Sequence, residues 1–163
     1  MLNYKSNMDD VLNKLKSKLL SDEAVDKLTR MCAQEVYSSN LRRIHNGGKN
    51  VNVRTIGHYS TRAASIRWNG ITRRYPGGYR QFRTSIGKGS MVNLQLTGTL
   101  MGNFQLKKHG RSYQVGFINR RSALISEGLT EHFGGTEIWG LTVWDRENIQ
   151  KIVKNFITNI SHA

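Results

Sequence analysis

Ninety-one consecutive residues, 36–126, contain no aspartate or glutamate, yet they hold 16 of the chain's 25 lysines and arginines. A segment that one-sided repels itself when folded, and it is tolerated most easily where a polyanion or an acidic partner surface neutralises it. The flanks are nearly balanced: residues 1–35 carry six basic and six acidic side chains, and residues 127–163 carry three and five. The formal charge of +14 is therefore a property of the middle, with nucleic acid the first partner class to consider.

At 163 residues and 37 % hydrophobic content, the chain fits a single domain, 1–163, able to bury roughly two thirds of its unfolded surface. Its purely aliphatic runs are two or three residues long, and no charged stretch precedes an apolar one at Met1. Neither a membrane span nor a secretory signal is expected, and the protein is expected to be soluble and made in the cytoplasm. Cys32 is alone, and His45, His58, His109, His132 and His162 stand at no ligand-like spacing, so no metal and no cofactor is expected.

Apolar residues at Met8, Val11, Leu12, Leu15 and Leu19, then at Val25, Leu28, Cys32 and Val36 after a restart at Ser21-Asp22, recur at three and four. They predict one long or two consecutive amphipathic helices within 1–47, ended by Asn46-Gly47-Gly48. Residues 48–90 keep no sustained period and read as a long basic loop that either orders only against a neighbouring subunit or extends as an arm, and the arm is the reading preferred. Alternation over Met91 to Thr97 predicts a strand broken at Gly98, and Phe104, Leu106, Tyr113, Val115 and Phe117 predict a hairpin, giving a three-stranded sheet in 91–119. The segment 120–163 is helical. A short helix is expected at 120–133, and Thr142 with Asp145 resembles a capping box opening a last helix.

That last helix carries the strongest periodic stripe, Ile149, Ile152, Val153, Phe156, Ile157 and Ile160, which should pack on the sheet. The expected fold class is α+β: long N-terminal and C-terminal helices packed on a small antiparallel β-sheet, with a long basic loop or arm. Its core is expected to draw on Leu12, Leu15, Leu28, Leu94, Leu96, Phe104, Val115, Phe117, Ile152, Val153 and Phe156.

The central arginines interleave with Tyr59, Trp68, Tyr75, Tyr79 and Phe82, a composition suited to phosphate contacts with rings stacking on bases. A basic arm docking on an acidic protein fits the same residues, because charge reports the sign of a partner and not its chemistry. Arg42-Arg43 reads as favourable charge at a helix C-terminus. Gly87-Lys88-Gly89-Ser90 lacks the glycine that a phosphate loop needs five residues earlier, since position 82 is phenylalanine; it reads as a turn. Glu127 and Glu131 beside His132 lack any supporting nucleophile or metal arrangement and read as a solvated helix face. Trp139 and Trp144 read as a hydrophobic staple on the last helix.

The segments GGYRQFR at 77–83, VNLQLTGTLMGNF at 92–104, VGFIN at 115–119 and IWGLT at 138–142, with IGHYST at 56–61, resemble in order and spacing the virion morphogenesis proteins of tailed bacteriophages. These form the tail-completion, or head-to-tail joining, group. The resemblance covers roughly residues 30–160. It implies a non-enzymatic structural subunit of the virion neck or tail, made in the host bacterial cytoplasm, with no catalytic residues. It further implies a homo-oligomeric ring that joins portal or adaptor to tail proteins, with genomic DNA in its channel. Arg62, Arg67, Arg73, Arg74, Arg80 and Arg83 are then the expected contacts to partner or DNA. The alternative is a free, non-sequence-specific nucleic-acid-binding protein.

Overall fold

The computed structural model describes residues 17, 21–95, 98–135 and 137–161. Ser21 caps the first described helix, α1 (Asp22–His45), its hydroxyl accepting from the Ala24 amide at 3.1 Å. Asp22 and Glu23 lie in the first turn and Arg42, Arg43 and His45 in the last, matching the helix dipole at both ends. The helix stops where the glycines were expected to stop it: Gly48 takes φ +54° and donates to Ile44 O at 3.0 Å. The expected helix before Ser21, with core positions Leu12 and Leu15, lies outside the described residues, as does Leu96.

Two hairpins and four further helices follow. They are β1 (Ala64–Trp68), β2 (Ile71–Tyr75), α2 (Gly78–Ser85), the single turn α3 (Thr99–Gly102), β3 (Phe104–His109), β4 (Ser112–Phe117), α4 (Arg120–His132) and α5 (Val143–Ser161). The fold is mixed α+β, with long helices at either end and two small two-stranded antiparallel sheets. The chain divides into two compact units, one built from 1–38, 106–115 and 143–163 and the other from 39–105 and 116–142.

In the first unit, α5 runs beside the early turns of α1. Phe156, 9 % exposed, and Ile160 share a groove with Ala24 and Lys27, and Asn148 Nδ2 donates to Glu35 Oε1 at 3.4 Å. Of the stripe expected to pack on the sheet, Phe156 and Ile160 lie against a helix instead, and Ile157 is 40 % exposed. The tip of the β3–β4 hairpin brings its cations to the same helix: Lys108 pairs with Asp26, Arg111 with Asp22 at 2.9 Å, and the Tyr113 hydroxyl donates to Asp26 at 3.2 Å. The Lys108 ammonium holds the Asp26 carboxyl below its ordinary range. Part of the central excess charge is therefore neutralised inside the molecule, by carboxylates from the balanced N-terminal flank.

The second unit corrects the expectation of an arm. Residues 48–90 form the β1–β2 hairpin and α2, and they contribute Ile56 and Phe82, 4 % and 0 % exposed, to the interior. Asn69 and Gly70, with φ +50° and +80°, supply the two-residue turn whose twist suits a hairpin. The β1–β2 register pairs Ala64 with Tyr75, Ser65 with Arg74, Ile66 with Arg73, Arg67 with Thr72 and Trp68 with Ile71. Opposed residues share a face, so Ala64, Ile66, Trp68 and Tyr75 lie together on the half-buried one. Arg67 and Arg74 fall on the exposed face of this ribbon, and the Phe82 ring under its other face takes the place of a neighbouring subunit as the source of order.

A second correction concerns the strand expected at 91–97: over its described residues, 91–95, no third strand forms. Met91 makes one bridge to His58, and Leu94, buried, turns the backbone to φ +57°, which an extended chain excludes. Val92 and Leu94 are buried by that irregular path. The core of the unit joins Ile44, Ile56, Val92, Leu94, Met101 and Ile138. Phe104, Phe117 and Trp139 form a ring cluster with centroids 4.8–5.4 Å apart. Trp139 belongs to that cluster and Trp144 is 66 % exposed, so the two tryptophans do not staple the last helix as expected. The β3–β4 hairpin, α4 with its Asn119 cap accepting from Ser122 N at 2.8 Å, and α5 starting just after Thr142 all stand where the sequence placed them.

Candidate functional site

The six arginines expected to meet a partner separate into two kinds. Arg62, Arg67, Arg73, Arg74 and Arg80 are exposed. Arg83 is not: it is 1 % exposed, and its guanidinium donates to Gly89 O at 3.4 Å, Gln95 O at 3.1 Å, Lys88 O at 3.1 Å and Asn93 Oδ1 at 2.9 Å. It also lies 4.5 Å over the Tyr59 ring. With its donors directed at these acceptors, Arg83 organises the fold and is removed from the contact set. The planar fork suits this task, since one side chain reaches several carbonyls that no strand partner satisfies.

The segment Gly87-Lys88-Gly89-Ser90 is explained by the same arginine. Gly87 and Gly89 take φ +73° and +67°, the Gly87 amide donates to Thr84 O at 3.1 Å, and the carbonyls of 88 and 89 turn to Arg83. This is a turn leaving the end of α2, as read from the sequence. Arg43 works in a similar way. Its guanidinium donates to Lys49 O at 2.9 Å, Ile138 O at 2.8 Å, Gly140 O at 3.2 Å and Asn40 Oδ1 at 2.8 Å, so it fastens the 138–140 loop to the end of α1. Helix-dipole complementarity alone understates that residue.

The rings expected to stack on bases face inward. Trp68, Tyr75 and Tyr79 surround Phe82 with centroid distances of 5.6, 5.4 and 5.6 Å, and Tyr59 meets Tyr79 at 5.2 Å. Burial pushes the Tyr59 hydroxyl up, with Arg83 pulling it the other way. Beyond Tyr59 and Tyr79, a cleft of about 410 Å³ is walled by Leu94, Ile125, Leu129 and Phe133, with His132 at its side. Glu127 and Glu131 are exposed and do not line the cleft, whose polar lining is Ser60, Arg83, His132 and the two tyrosines. Among the described residues, no three His, Cys, Asp or Glu side chains stand together as a metal site, and no helix is long and apolar enough to cross a membrane.

A polar chain runs back from Arg83. Asn93 Oδ1 accepts from the Gln95 amide at 3.2 Å, and Gln95 Nε2 meets His45 Nδ1 at 2.9 Å. With the amide as donor, Nδ1 must be unprotonated. Burial holds the His45 imidazole below its ordinary value of 6.5. The unfolded chain then takes up that proton first, so the stability tied to His45 is complete above about pH 6.5 and is lost as pH falls through and below it. Urea midpoints should decline from neutral to mildly acid pH in the native protein, and by less in His45→Gln. Equal declines in both would refute the linkage.

The exposed arginines remain as the feature unspent on folding. Arg67 and Arg74 share the outward face of the β1–β2 hairpin, with Ser65 and Thr72 opposite them in the register. Backbone contacts hold Arg62 and Arg80 near the same unit's turn into α2: Arg80 N donates to Ser60 O at 3.0 Å, and Arg62 O lies against Gly78. Among the described residues, no carboxylate pairs with Arg62, Arg67, Arg73, Arg74 or Arg80. The Asn69-Gly70 pair between Trp68 and Ile71 was the available sequence signal for this surface. Compared with known protein families, curated proteins and solved structures, the chain matches none.

Proposed function

We propose that this chain is a structural subunit of a tailed-bacteriophage virion: a ring-forming neck or tail-completion protein that joins portal or adaptor to tail and lets DNA pass. The observation that carries this reading is where the resembling segments lie. Scattered over 56–142, nearly all fall within one compact unit, and they supply its interior: Ile56, Phe82, Val92, Leu94, Met101, Phe104 and Ile138 are buried, Arg83 binds Asn93, and Phe104 packs with Phe117 and Trp139. Residues alike in order and spacing are thus those on which the fold depends. The role itself is geometric and electrostatic, with the exposed arginines turned to companions in a larger particle.

Electron microscopy tests this directly. The purified protein should form closed rings, and particles lacking it should accumulate as full heads without joined tails. Normal joined particles in its absence would refute the assignment. A monomer at all concentrations, bound to nucleic acid and absent from virions, would replace it with the free nucleic-acid-binding protein.

A further inference from the structure

The β1–β2 hairpin has two faces with opposite chemistry. One carries Ile66, Trp68 and Tyr75 along with Arg73, its Trp68 and Tyr75 rings held over Phe82; the other carries Ser65, Arg67, Thr72 and Arg74, all exposed. Arg67 and Arg74 are diagonal neighbours across the ribbon, a spacing of about 7–8 Å at which like charges disfavour the fold. Among the described residues no carboxylate pairs with either, whereas Lys108 and Arg111 on the other hairpin meet Asp26 and Asp22. The first hairpin is therefore left with charge that folding alone does not use.

The makeup of that outward face discriminates among anionic partners. A protein interface needs apolar or aromatic anchors at its centre, and these four positions have none. Single-stranded nucleic acid is held largely by stacking on exposed rings, but here the rings of Trp68, Tyr75 and Tyr79 are engaged with Phe82. Arginine interspersed with serine and threonine is the set that contacts phosphate and sugar. We propose that the outward face of the β1–β2 hairpin, formed by Ser65, Arg67, Thr72 and Arg74, binds the phosphate backbone of duplex DNA without reading its bases. This binding depends on the hairpin alone, whether or not the chain assembles into a ring.

The test is a salt titration of full-length protein on a mixed-sequence DNA duplex, followed by fluorescence anisotropy. Arg67→Gln with Arg74→Gln should weaken binding about tenfold or more and flatten the slope of log affinity against log salt by about 2. Lys151→Gln with Lys154→Gln removes the same net charge from exposed positions of α5 and should leave both nearly unchanged. Arg67→Lys with Arg74→Lys keeps the charges and should keep the slope, which guards against loss through misfolding. Absence of duplex binding at low salt, equal losses in the two glutamine pairs, or single strands bound as tightly as duplex would each overturn the proposal. So would polyglutamate bound more tightly than DNA through the same two arginines, which would assign the face to an acidic protein.

Discussion

Arg83→Met is expected to lower the stability of the unit holding residues 39–105 by about 3–5 kcal/mol, read as a fall in its urea midpoint. Methionine fills much of the volume but donates nothing. Lys88 O, Gly89 O, Gln95 O and Asn93 Oδ1 then lose their shared donor, and each charge-assisted hydrogen bond is worth roughly 1.5–3 kcal/mol. Arg83→Lys should recover less than half of the loss, because one ammonium cannot span four acceptors spread over residues 88–95. A surface residue would instead tolerate lysine and methionine alike. Arg80→Met, on the same helix but exposed, is the control and should change stability by less than about 0.5 kcal/mol. Equal midpoints for Arg83→Met and Arg80→Met would refute the assignment of Arg83 to the interior.

Gly78→Ala should be nearly as damaging, at about 3 kcal/mol or more. Gly78 is buried, takes φ +64°, and a Cβ there would stand 2.3 Å from Arg62 O and 2.7 Å from Ser60 O. Both neighbours are backbone, and Ser60 O already accepts from Arg80 N, so neither can withdraw without opening the turn into α2. Gly57→Ala is the informative contrast. Its Cβ would meet the Phe133 ring at 2.4 Å, a similar approach to a side chain whose rotation can relieve it in part, so a smaller loss is expected. Thermal melts of the two variants would check the ordering, and Gly78→Ala melting like the native protein would remove the close approach from the account.

Elements whose apolar residues repeat over several turns, or that alternate around a glycine, were legible: the end of α1 at Asn46, the β3–β4 hairpin, α4, and the stripe of α5. The middle was harder for a physical reason. β1 and β2 are five residues each, and β2 places arginine at two positions of its five, including Arg73 on the face shared with Ile66. Polar residues on both sides of a short strand erase the alternation on which pattern reading depends. The turn itself was written plainly as Asn69-Gly70, and weighing that dipeptide would have recovered the hairpin.

The candidate site was legible to the same extent. Charge and absence of acid located it, but no pattern distinguishes an arginine committed to carbonyls from one committed to a partner. Arg80 and Arg83, three residues apart on α2, have opposite fates because only Arg83 turns under the 88–95 segment. Over the described part of the strand expected at 91–97, residues 91–95, pairing is lost for the linked reason: Asn93 and Gln95 bond Arg83 and His45 in place of a neighbouring strand.

The division of labour across the first hairpin bears on how such a protein can vary. Substitutions at 65, 67, 72 and 74 alter the sign and strength of the field it presents while leaving the anchoring rings untouched. Positions 68, 75, 79 and 82 are tied to one another and can change only in concert. A lineage, or an engineer, could therefore retune what this ribbon attracts one residue at a time without rebuilding its support.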